Sequence, residues 1–184
     1  MKRGRVIILN GAGSVGKGSI AKALQEITTE PLLHVEMDAF LAMLPEHYWN
    51  DPAGMIFETI EENGKPSVVI KTGPVVERAL AGMRRAVVAM AGEGNNLIVD
   101  EVMTVAEAAA YRRLLDGFDL TLVGVFASLD ALEERERQRG DRMIGLARQQ
   151  HARIHEGITN DLKIDTTHDT AQACAEKIKA ILEL

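Results

Sequence analysis

Short runs of apolar residues alternate with stretches of helical periodicity along most of this chain. Runs that suit strands buried on both faces occupy residues 6–9, 97–99 and 120–126, and weaker candidates occupy residues 32–35 and 162–164. Between them, apolar positions recur at helical spacing over residues 19–27, 75–91, 106–115, 130–138, 144–155 and 170–182. This alternation predicts one α/β domain over residues 1–184, in which a five-stranded parallel sheet lies between two layers of helices.

Residues 45–74 break this rhythm. The segment holds four prolines, three glycines and the aromatic residues Tyr48, Trp49 and Phe57, and no periodicity connects them. A connection of this length in a compact domain is usually either functional or irregular. Two interpretations stay open: an element that covers the acceptor side of a substrate site, or a surface excursion that packs its own small cluster.

Composition and charge narrow the class of protein. The chain carries a net charge of −6, from 21 basic and 27 acidic side chains, and this balance argues against a nucleic acid as partner. The single cysteine, Cys174, excludes an internal disulfide, and no apolar run is long enough to cross a membrane. With no signal-peptide pattern at the N-terminus, these features predict a cytoplasmic protein without a membrane partner.

The strongest motif follows the first predicted strand. Residues 11–19 read Gly-Ala-Gly-Ser-Val-Gly-Lys-Gly-Ser and open the first predicted helix, which is the context that a P-loop requires. Glycines let the backbone N–H groups converge on phosphate oxygens, and Lys17 adds a full charge at the β- and γ-phosphates. We therefore predict a three-layer P-loop NTPase fold of the nucleotide-kinase type that binds ATP. The predicted nucleotide-binding residues here are Gly11, Ala12, Gly13, Ser14, Val15, Gly16, Lys17, Gly18 and Ser19.

The position after Lys17 departs from the common pattern, in which a serine or threonine hydroxyl helps to hold Mg²⁺. Gly18 stands there instead and Ser19 follows, as in adenylate kinase-type nucleotide kinases. Asp100 ends a buried strand at the sheet edge where ligands bind in open α/β sheets. We predict Asp100 and Ser19 as the Mg²⁺ residues, with Glu101 as an alternative acid; a solvent-facing strand end is the structural alternative.

Asp38 follows another predicted strand and precedes an apolar stretch. Its carboxylate could cap the helix that begins there, which is a common structural role for aspartate. It could equally act as a general base near the γ-phosphate, since a helix mouth on this sheet edge faces the same site. Both interpretations stay open on the residues alone.

Arginines concentrate in residues 133–142, part of which is typical of a solvated helix face. Arg139 and Arg142 flank a Gly-Asp pair that should end the helix, and Arg148 adds a further cation. Guanidinium groups at a mobile turn suit a lid that closes over phosphates and excludes water. We favour a lid over residues 137–148, with Arg139 and Arg142 as catalytic residues.

Taken together, these motifs resemble the chloramphenicol phosphotransferase family of P-loop kinases. The pieces that carry the resemblance are Ile7-Ile8-Leu9-Asn10-Gly11 with the P-loop, Met37-Asp38-Ala39-Phe40, Leu97-Ile98-Val99-Asp100-Glu101-Val102, Arg139-Gly140-Asp141-Arg142, His155-Glu156-Gly157 and Asp165-Thr166-Thr167-His168. They occur in the family's order over nearly the whole chain, and their combination is more specific than the P-loop alone.

The resemblance implies a function and a set of roles. It implies ATP-dependent phosphorylation of the 3-hydroxyl of an antibiotic, so the expected partner is a small molecule with a hydroxyl acceptor. It implies that Asp38 is the catalytic base, that Lys17 binds the phosphates and that Arg139 and Arg142 belong to the lid. Thr166, within Asp165-Thr166-Thr167, would lie near the adenine.

Two other functions fit parts of the pattern. A nucleoside monophosphate kinase would need arginines that clamp the acceptor phosphate, and Arg78, Arg84 and Arg85 are candidates on one predicted helix. The one feature that favours a nucleotide-binding regulator without turnover is Gly18 in the P-loop. Transfer to a hydroxyl acceptor distinguishes the kinase prediction from both.

Overall fold

The computed structural model describes residues 2–140, 143–151 and 153–184. The strands, in chain order, are β1 (Arg5–Asn10), β2 (Leu32–Glu36), β3 (Met55–Glu62), β4 (Lys65–Thr72), β5 (Asn96–Glu101), β6 (Asp119–Phe126) and β7 (Leu162–Asp165). The helices are α1 (Lys17–Ile27), α2 (Met37–Leu41), α3 (Pro74–Gly92), α4 (Val105–Leu114), α5 (Leu129–Arg139), α6 (Leu146–His151) and α7 (Ala171–Leu182), with a short 3₁₀ turn at Glu46–Tyr48.

The predicted five-stranded parallel sheet is confirmed. Its strand order is β2-β5-β1-β6-β7, and every pair of neighbours is parallel. The first strand of the chain is thus central: β5 and β2 lie on one side of it, and β6 and β7 lie on the other. The loop that follows β1 lies at the point where the strand order changes direction, and open α/β sheets bind their ligands at such a point.

The apolar residues of β1 alternate between the two faces of the sheet. Ile7 and Leu9 belong to a core cluster with residues of α1 and α7, whereas Val6 and Ile8 belong to a second cluster with residues of α3 and α4. Because helices cover both faces, the central strands are apolar throughout, and each reads as an uninterrupted run in the sequence.

The predicted helices are confirmed to within two residues at their ends, apart from the one expected over residues 144–155. That prediction is wrong in extent, since α6 covers only Leu146–His151 and residues 153–157 form turns. A distant side chain sets the start of α6. The buried carboxylate of Glu136 accepts hydrogen bonds from the N–H groups of Gly145 (2.7 Å) and Ala147 (2.9 Å), a contact that helical periodicity does not record.

The segment at 45–74 is not irregular, because β3 and β4 form an antiparallel hairpin within it. Glu62 pairs with Lys65, and the two residues between them, Asn63 and Gly64, have φ angles of 53° and 73°. An Asn-Gly pair with both φ angles positive is the preferred two-residue hairpin turn, so the sequence did carry this signal. The hairpin packs on α6, and the Val68 N–H donates to the Gly145 carbonyl at 3.0 Å.

Within the described residues, no helix has both the length and the apolar character needed to cross a bilayer.

Candidate active site

The loop between β1 and α1 wraps tightly at the centre of the sheet edge. At Gly11 a Cβ would lie 2.5 Å from the Val125 carbonyl oxygen, so only glycine allows this approach to β6. Gly16 caps α1 with a φ of 98°, and Ser14 also has a positive φ of 62°. These left-handed residues turn the chain so that α1 begins at Lys17, and the loop lies at the positive end of that helix.

One donor of this loop already faces an oxygen acceptor. The Gly13 N–H donates to the side-chain oxygen of Gln150 on α6 at 2.6 Å. The contact shows that the Gly13 N–H points away from its own loop, towards α6, which overlaps the end of the predicted lid at residues 146–148. An arrangement of outward N–H groups at a helix N-terminus suits a phosphate ligand.

Lys17 lies across the loop rather than extending into solvent. Its ammonium group donates to the carbonyls of Gly11 at 2.8 Å and Ala12 at 3.1 Å, and its side chain is 7% exposed. The same nitrogen lies 3.5 Å from Oδ1 of Asp100, the last residue but one of β5. The structure therefore brings together the predicted phosphate-binding cation and the predicted metal-binding acid.

Burial raises the pKa of the Asp100 carboxyl above its usual range. The positive charge of Lys17 and the ring of His34 oppose this shift, and the negative charge of Asp38 adds to it. Desolvation penalises a charged carboxylate, so Asp100 depends on nearby positive charge to stay ionised. That is the electrostatic setting of a carboxylate that serves a cationic ligand.

The neighbouring acid faces the other side of the sheet. Glu101 is fully buried, and its carboxylate accepts hydrogen bonds from Arg84 and from the hydroxyl of Tyr111, each at 2.6 Å. Consecutive strand residues point to opposite faces, so Asp100 and Glu101 cannot share one site. The alternative metal role of Glu101 is therefore wrong, and Arg84 is bound here instead of facing an acceptor phosphate.

Gly18, not Ser19, faces the acidic residues. A Cβ on Gly18 would lie 3.5 Å from Oδ2 of Asp100 and 3.7 Å from Oε1 of Glu36. Ser19, the next residue of α1, is exposed and lines a different pocket beside the loop. The two residues predicted to share Mg²⁺, Ser19 and Asp100, thus lie on different sides of the helix start.

That pocket has a volume of about 400 Å³ and collects residues from three segments. It is lined by Ser14, Val15, Gly16, Ser19 and Ile20 of the P-loop and α1, by Arg135, Gln138 and Arg139 of α5, and by Thr166, Asp169 and Ala171. Predicted nucleotide-binding residues and one predicted lid arginine therefore meet around one space. Its position beside the P-loop suits the adenosine part of a nucleotide.

Sequence reasoning missed Arg135, which holds one wall of this pocket. Its guanidinium donates to the hydroxyl of Thr166 at 3.1 Å and also to the Thr166 carbonyl. The Thr166 hydroxyl in turn donates to the Val15 carbonyl at 2.8 Å, which ties the wall to the P-loop. A signal was available, because Arg135 lies one helical turn before Arg139 and so shares its face of α5.

The predicted lid is described only in part. Arg139 ends α5 and lines the pocket beside the P-loop, and the helix stops at Gly140 with a φ of 69°, as expected. Arg142 lies outside the described residues. Arg148 does not add to the lid, because it is bound to Glu133 of α5.

Asp38 lies in the first turn of α2, whose N-cap residue is Glu36. The capping interpretation of Asp38 is therefore wrong, since its carboxylate lies two positions inside the helix. Asp38 is exposed, and its charge acts on Asp100, so both carboxylates lie at the same end of the sheet. The general-base interpretation of Asp38 stays a prediction.

Comparisons with known proteins identify the family of this chain. The sequence matches the family described as "Chloramphenicol phosphotransferase-like protein" over residues 4–183. A Mycobacterium tuberculosis protein named "Putative O-phosphotransferase" is 30% identical over 197 residues, which cover 95% of this chain and 85% of the relative.

Several solved structures share the fold. The Mycobacterium tuberculosis APS kinase in complex with AMPPNP and APS has a TM-score of 0.69 at 15% identity, with 100% of both chains covered. The tunicamycin resistance protein of Deinococcus radiodurans has a TM-score of 0.68 at 21% identity, over 99% of this chain and 97% of that one. A sugar kinase from a Janibacter species has a TM-score of 0.62 at 18% identity, over 98% and 95%. The predicted three-layer P-loop kinase fold is confirmed.

Proposed function

This chain belongs to the chloramphenicol phosphotransferase-like family, and we propose that it is an ATP-dependent kinase that transfers the γ-phosphoryl group to a hydroxyl of a small molecule. The observation that carries this proposal is the placement of Lys17. Its buried ammonium group crosses the P-loop at the start of α1 and lies 3.5 Å from Asp100. A cation, a helix N-terminus and a carboxylate at one point of the sheet edge are the parts that phosphoryl transfer requires.

The nucleotide would extend from the pocket to the loop. Its adenosine would occupy the space lined by Arg135 and Thr166, and its phosphates would lie along the N–H groups of residues 11–17. This direction places the γ-phosphate at the side of Lys17 that faces Asp100. The predicted roles of Thr166 and the P-loop residues thereby fit one ligand pose.

Charge on the transferred group would be neutralised from two sides. Lys17 approaches from the loop, and Arg139 lies at the end of α5 above the pocket. Arg142 is expected to join Arg139 on the basis of the family resemblance. Fixed positive groups that face a developing negative charge supply most of the rate enhancement in such enzymes.

Asp38 would accept the proton of the incoming hydroxyl. It lies at the same end of the sheet as Asp100 and is exposed, so an acceptor can reach it from solvent. The hairpin of residues 55–72, with Trp49 stacked near Phe57 at a centroid distance of 6.3 Å, is the element we assign to the acceptor side.

A magnesium ion would enter with ATP, and the residues at the site fit it in part. Asp100 offers a hard carboxylate oxygen of the kind Mg²⁺ prefers, and Gly18 offers no hydroxyl beside it. When bound, Mg²⁺ neutralises charge on the β- and γ-phosphates. Asp100 would hold the ion, and Lys17 would keep Asp100 ionised.

A screen of acceptors with γ-labelled ATP tests this function. Chloramphenicol and other antibiotics with a primary hydroxyl are the first compounds to offer, because the family resemblance implies that class. The expected result is labelled product from a hydroxyl compound with the wild-type protein and none with Lys17→Ala. Label on nucleoside monophosphates alone, or ATP binding without transfer to any acceptor, would overturn the proposal.

A further inference from the structure

A cluster of three side chains lies beside the P-loop, and only one of them was predicted. His34, Glu36 and Asp100 each place one donor atom so that all three atoms lie within 4.8 Å of one another. His34 and Glu36 alternate along β2 and therefore share one of its faces. The strand register sets Glu36 directly opposite Asp100 on β5.

Two carboxylates directly opposite each other on adjacent strands repel and need a positive charge between them. Lys17 supplies part of it, because its nitrogen lies 3.5 Å from Oδ1 of Asp100. For Glu36, the one ion-pair contact in the described part of the chain is the ring of His34, whose Nδ1 is 3.8 Å from Oε1. Among the described residues, no lysine or arginine therefore forms an ion pair with Glu36.

His34 is buried without a hydrogen bond. Its side chain is 10% exposed, and neither ring nitrogen makes a hydrogen bond to any residue that the structure describes. The Nε2 atom is fully buried and unpartnered, and Nδ1 faces a carboxylate oxygen beyond hydrogen-bond distance. Buried polar atoms are nearly always satisfied in native proteins, and the buried Nε2 shows that no described residue binds the ring. Nδ1 is the ring nitrogen beside the carboxylates, so it is the atom positioned to bind a cation between them.

Gly18 leaves the space beside the cluster open. A Cβ at this position would make ordinary contacts with Asp100 (3.5 Å) and Glu36 (3.7 Å), so any longer side chain would enter the cluster. The usual hydroxyl ligand is thus missing, while an imidazole and a second carboxylate lie next to the vacant position. Compared with the common P-loop pattern, the site lacks a hydroxyl oxygen but has the nitrogen of His34 and a carboxylate oxygen of Glu36. This difference in ligand atoms changes which ions the site should prefer.

We propose that His34, Glu36 and Asp100 bind a first-row divalent transition-metal ion, of the Mn²⁺ or Co²⁺ class, without a nucleotide. Imidazole nitrogen favours such ions over Mg²⁺, which prefers an all-oxygen shell, and the two carboxylates supply the negative charge that any of them requires. Three protein ligands leave further positions for water or another oxygen ligand. Binding needs only these side chains, so the proposal goes beyond the proposed kinase activity and does not rest on it.

The test is a titration of Mn²⁺ into the nucleotide-free protein, followed by the electron paramagnetic resonance signal of the free ion. We expect one bound ion per chain that equimolar Mg²⁺ does not displace. Glu36→Gln and His34→Gln should each weaken Mn²⁺ binding by about tenfold or more, since even outer-shell changes cost that much. Mn²⁺ should raise the melting temperature of the wild-type protein but not of these variants.

Matched controls separate this site from surface binding. Glu26→Gln and His47→Gln remove an exposed carboxylate and an exposed imidazole elsewhere, and both should bind Mn²⁺ like the wild type. No binding without nucleotide, equal binding by all four variants, or displacement by equimolar Mg²⁺ would overturn the proposal. Because Glu36 is exposed, Glu36→Gln should fold even if His34→Gln does not. A protein that binds Mn²⁺ in this pattern but transfers no phosphate would count against the kinase function alone.

Discussion

The ammonium nitrogen of Lys17 lies 3.5 Å from Oδ1 of Asp100, although the two residues are far apart in the chain. Lys17 also donates to two carbonyls of its own loop, so its charge is shared between the loop and the sheet edge. Strand pairing of β1 with β5 creates this contact by bringing the loop after β1 to the end of β5. The pair is the electrostatic centre of the candidate site.

Replacement of Lys17 by alanine should abolish phosphoryl transfer while the fold stays intact. Lys17 is the cation of the P-loop, and loss of a group that stabilises transition-state charge lowers kcat by about 10²-fold or more. Turnover with a verified acceptor measures the effect, and far-UV circular dichroism checks the fold. Lys22→Ala, which removes an exposed lysine from the same helix, is the control and should keep wild-type turnover. Wild-type rates in a folded Lys17→Ala protein would contradict the kinase function.

Asp38→Asn should lower kcat by roughly 10²-fold or more, with near-normal ATP affinity, because asparagine cannot accept the proton of the hydroxyl. Stability should change by about 1 kcal/mol or less from the loss of a negative charge in the first turn of α2. Asp130→Asn removes an exposed acid from the first turn of α5 and is the matched control. The rate must be measured on a verified acceptor. A variant that keeps most of its transfer rate would show that Asp38 is not the base.

Arg139→Ala should lower kcat more than it weakens ATP binding. An arginine that stabilises the transferred phosphoryl group can be worth about 10³-fold in kcat. Arg137→Ala is the control on the same helix, because Arg137 is exposed and pairs with Glu134 away from the pocket. Steady-state kinetics and direct titration of ATP separate the two effects. If kcat is equal for both variants, Arg139 belongs to the solvated face of the helix and has no role in phosphoryl transfer.

Arg135→Ala should show the opposite pattern, with weaker ATP binding and a smaller change in kcat. Arg135 holds Thr166 through two hydrogen bonds, and Thr166 is bound to the Val15 carbonyl of the P-loop. Loss of these bonds loosens the wall of the nucleotide pocket, at some distance from the phosphates. We expect a rise of about tenfold in the dissociation constant for ATP, of the size that one or two hydrogen bonds supply. Calorimetric titration measures it, and unchanged affinity would exclude Arg135 from the pocket wall.

Asp100→Asn should make stability less dependent on pH. Burial raises the pKa of Asp100 in the folded protein above the value of about 3.9 that it has when unfolded. Its favourable contribution is therefore complete below the unfolded pKa and is lost as pH rises through the folded pKa. Asparagine stays neutral, so the free energy of unfolding of the variant relative to the wild type should increase from pH 4 to about pH 7.

Urea unfolding across this pH range, with a chelator present, measures the difference between the two proteins. Asp116→Asn removes an exposed carboxylate and is the control for a general change in surface charge. If the wild type and Asp100→Asn keep a constant difference in stability at every pH, the buried Asp100 carboxyl does not titrate as described.

Most of the fold could be predicted from local patterns. The central strands β1, β5 and β6 were found because each contains a short buried apolar run, and the long helices because their apolar residues recur at one period. The edge strands β2 and β7 gave weaker runs, because only part of each is buried. The hairpin was missed although Asn63-Gly64 marks its turn, since β3 and β4 are largely exposed and carry little alternation. The length of α6 could not be predicted, because Glu136 sets its start from another helix.

The candidate site divides in the same way. The P-loop is contiguous in sequence, so its residues and their order identify it. The roles predicted for Glu101 and Arg148 were wrong because their partners, Arg84 and Glu133, lie on other elements. Neither the pairing of Glu101 with Arg84 nor that of Arg148 with Glu133 can be read from the charges in the sequence alone.

The sequence by itself determined that this is a parallel α/β protein with a phosphate-binding loop, because buried strands, helical periods and a glycine-rich loop are encoded by neighbouring residues. Only the tertiary structure decided which side chains share the space beside that loop. The register of β2 against β5 sets Glu36 opposite Asp100, and the turn of α1 directs Gly18 to them instead of Ser19. A shift of one residue in the pairing of β2 with β5 would turn the side chains of β2 to the other face of the sheet. This register depends on packing between segments that are distant in the sequence.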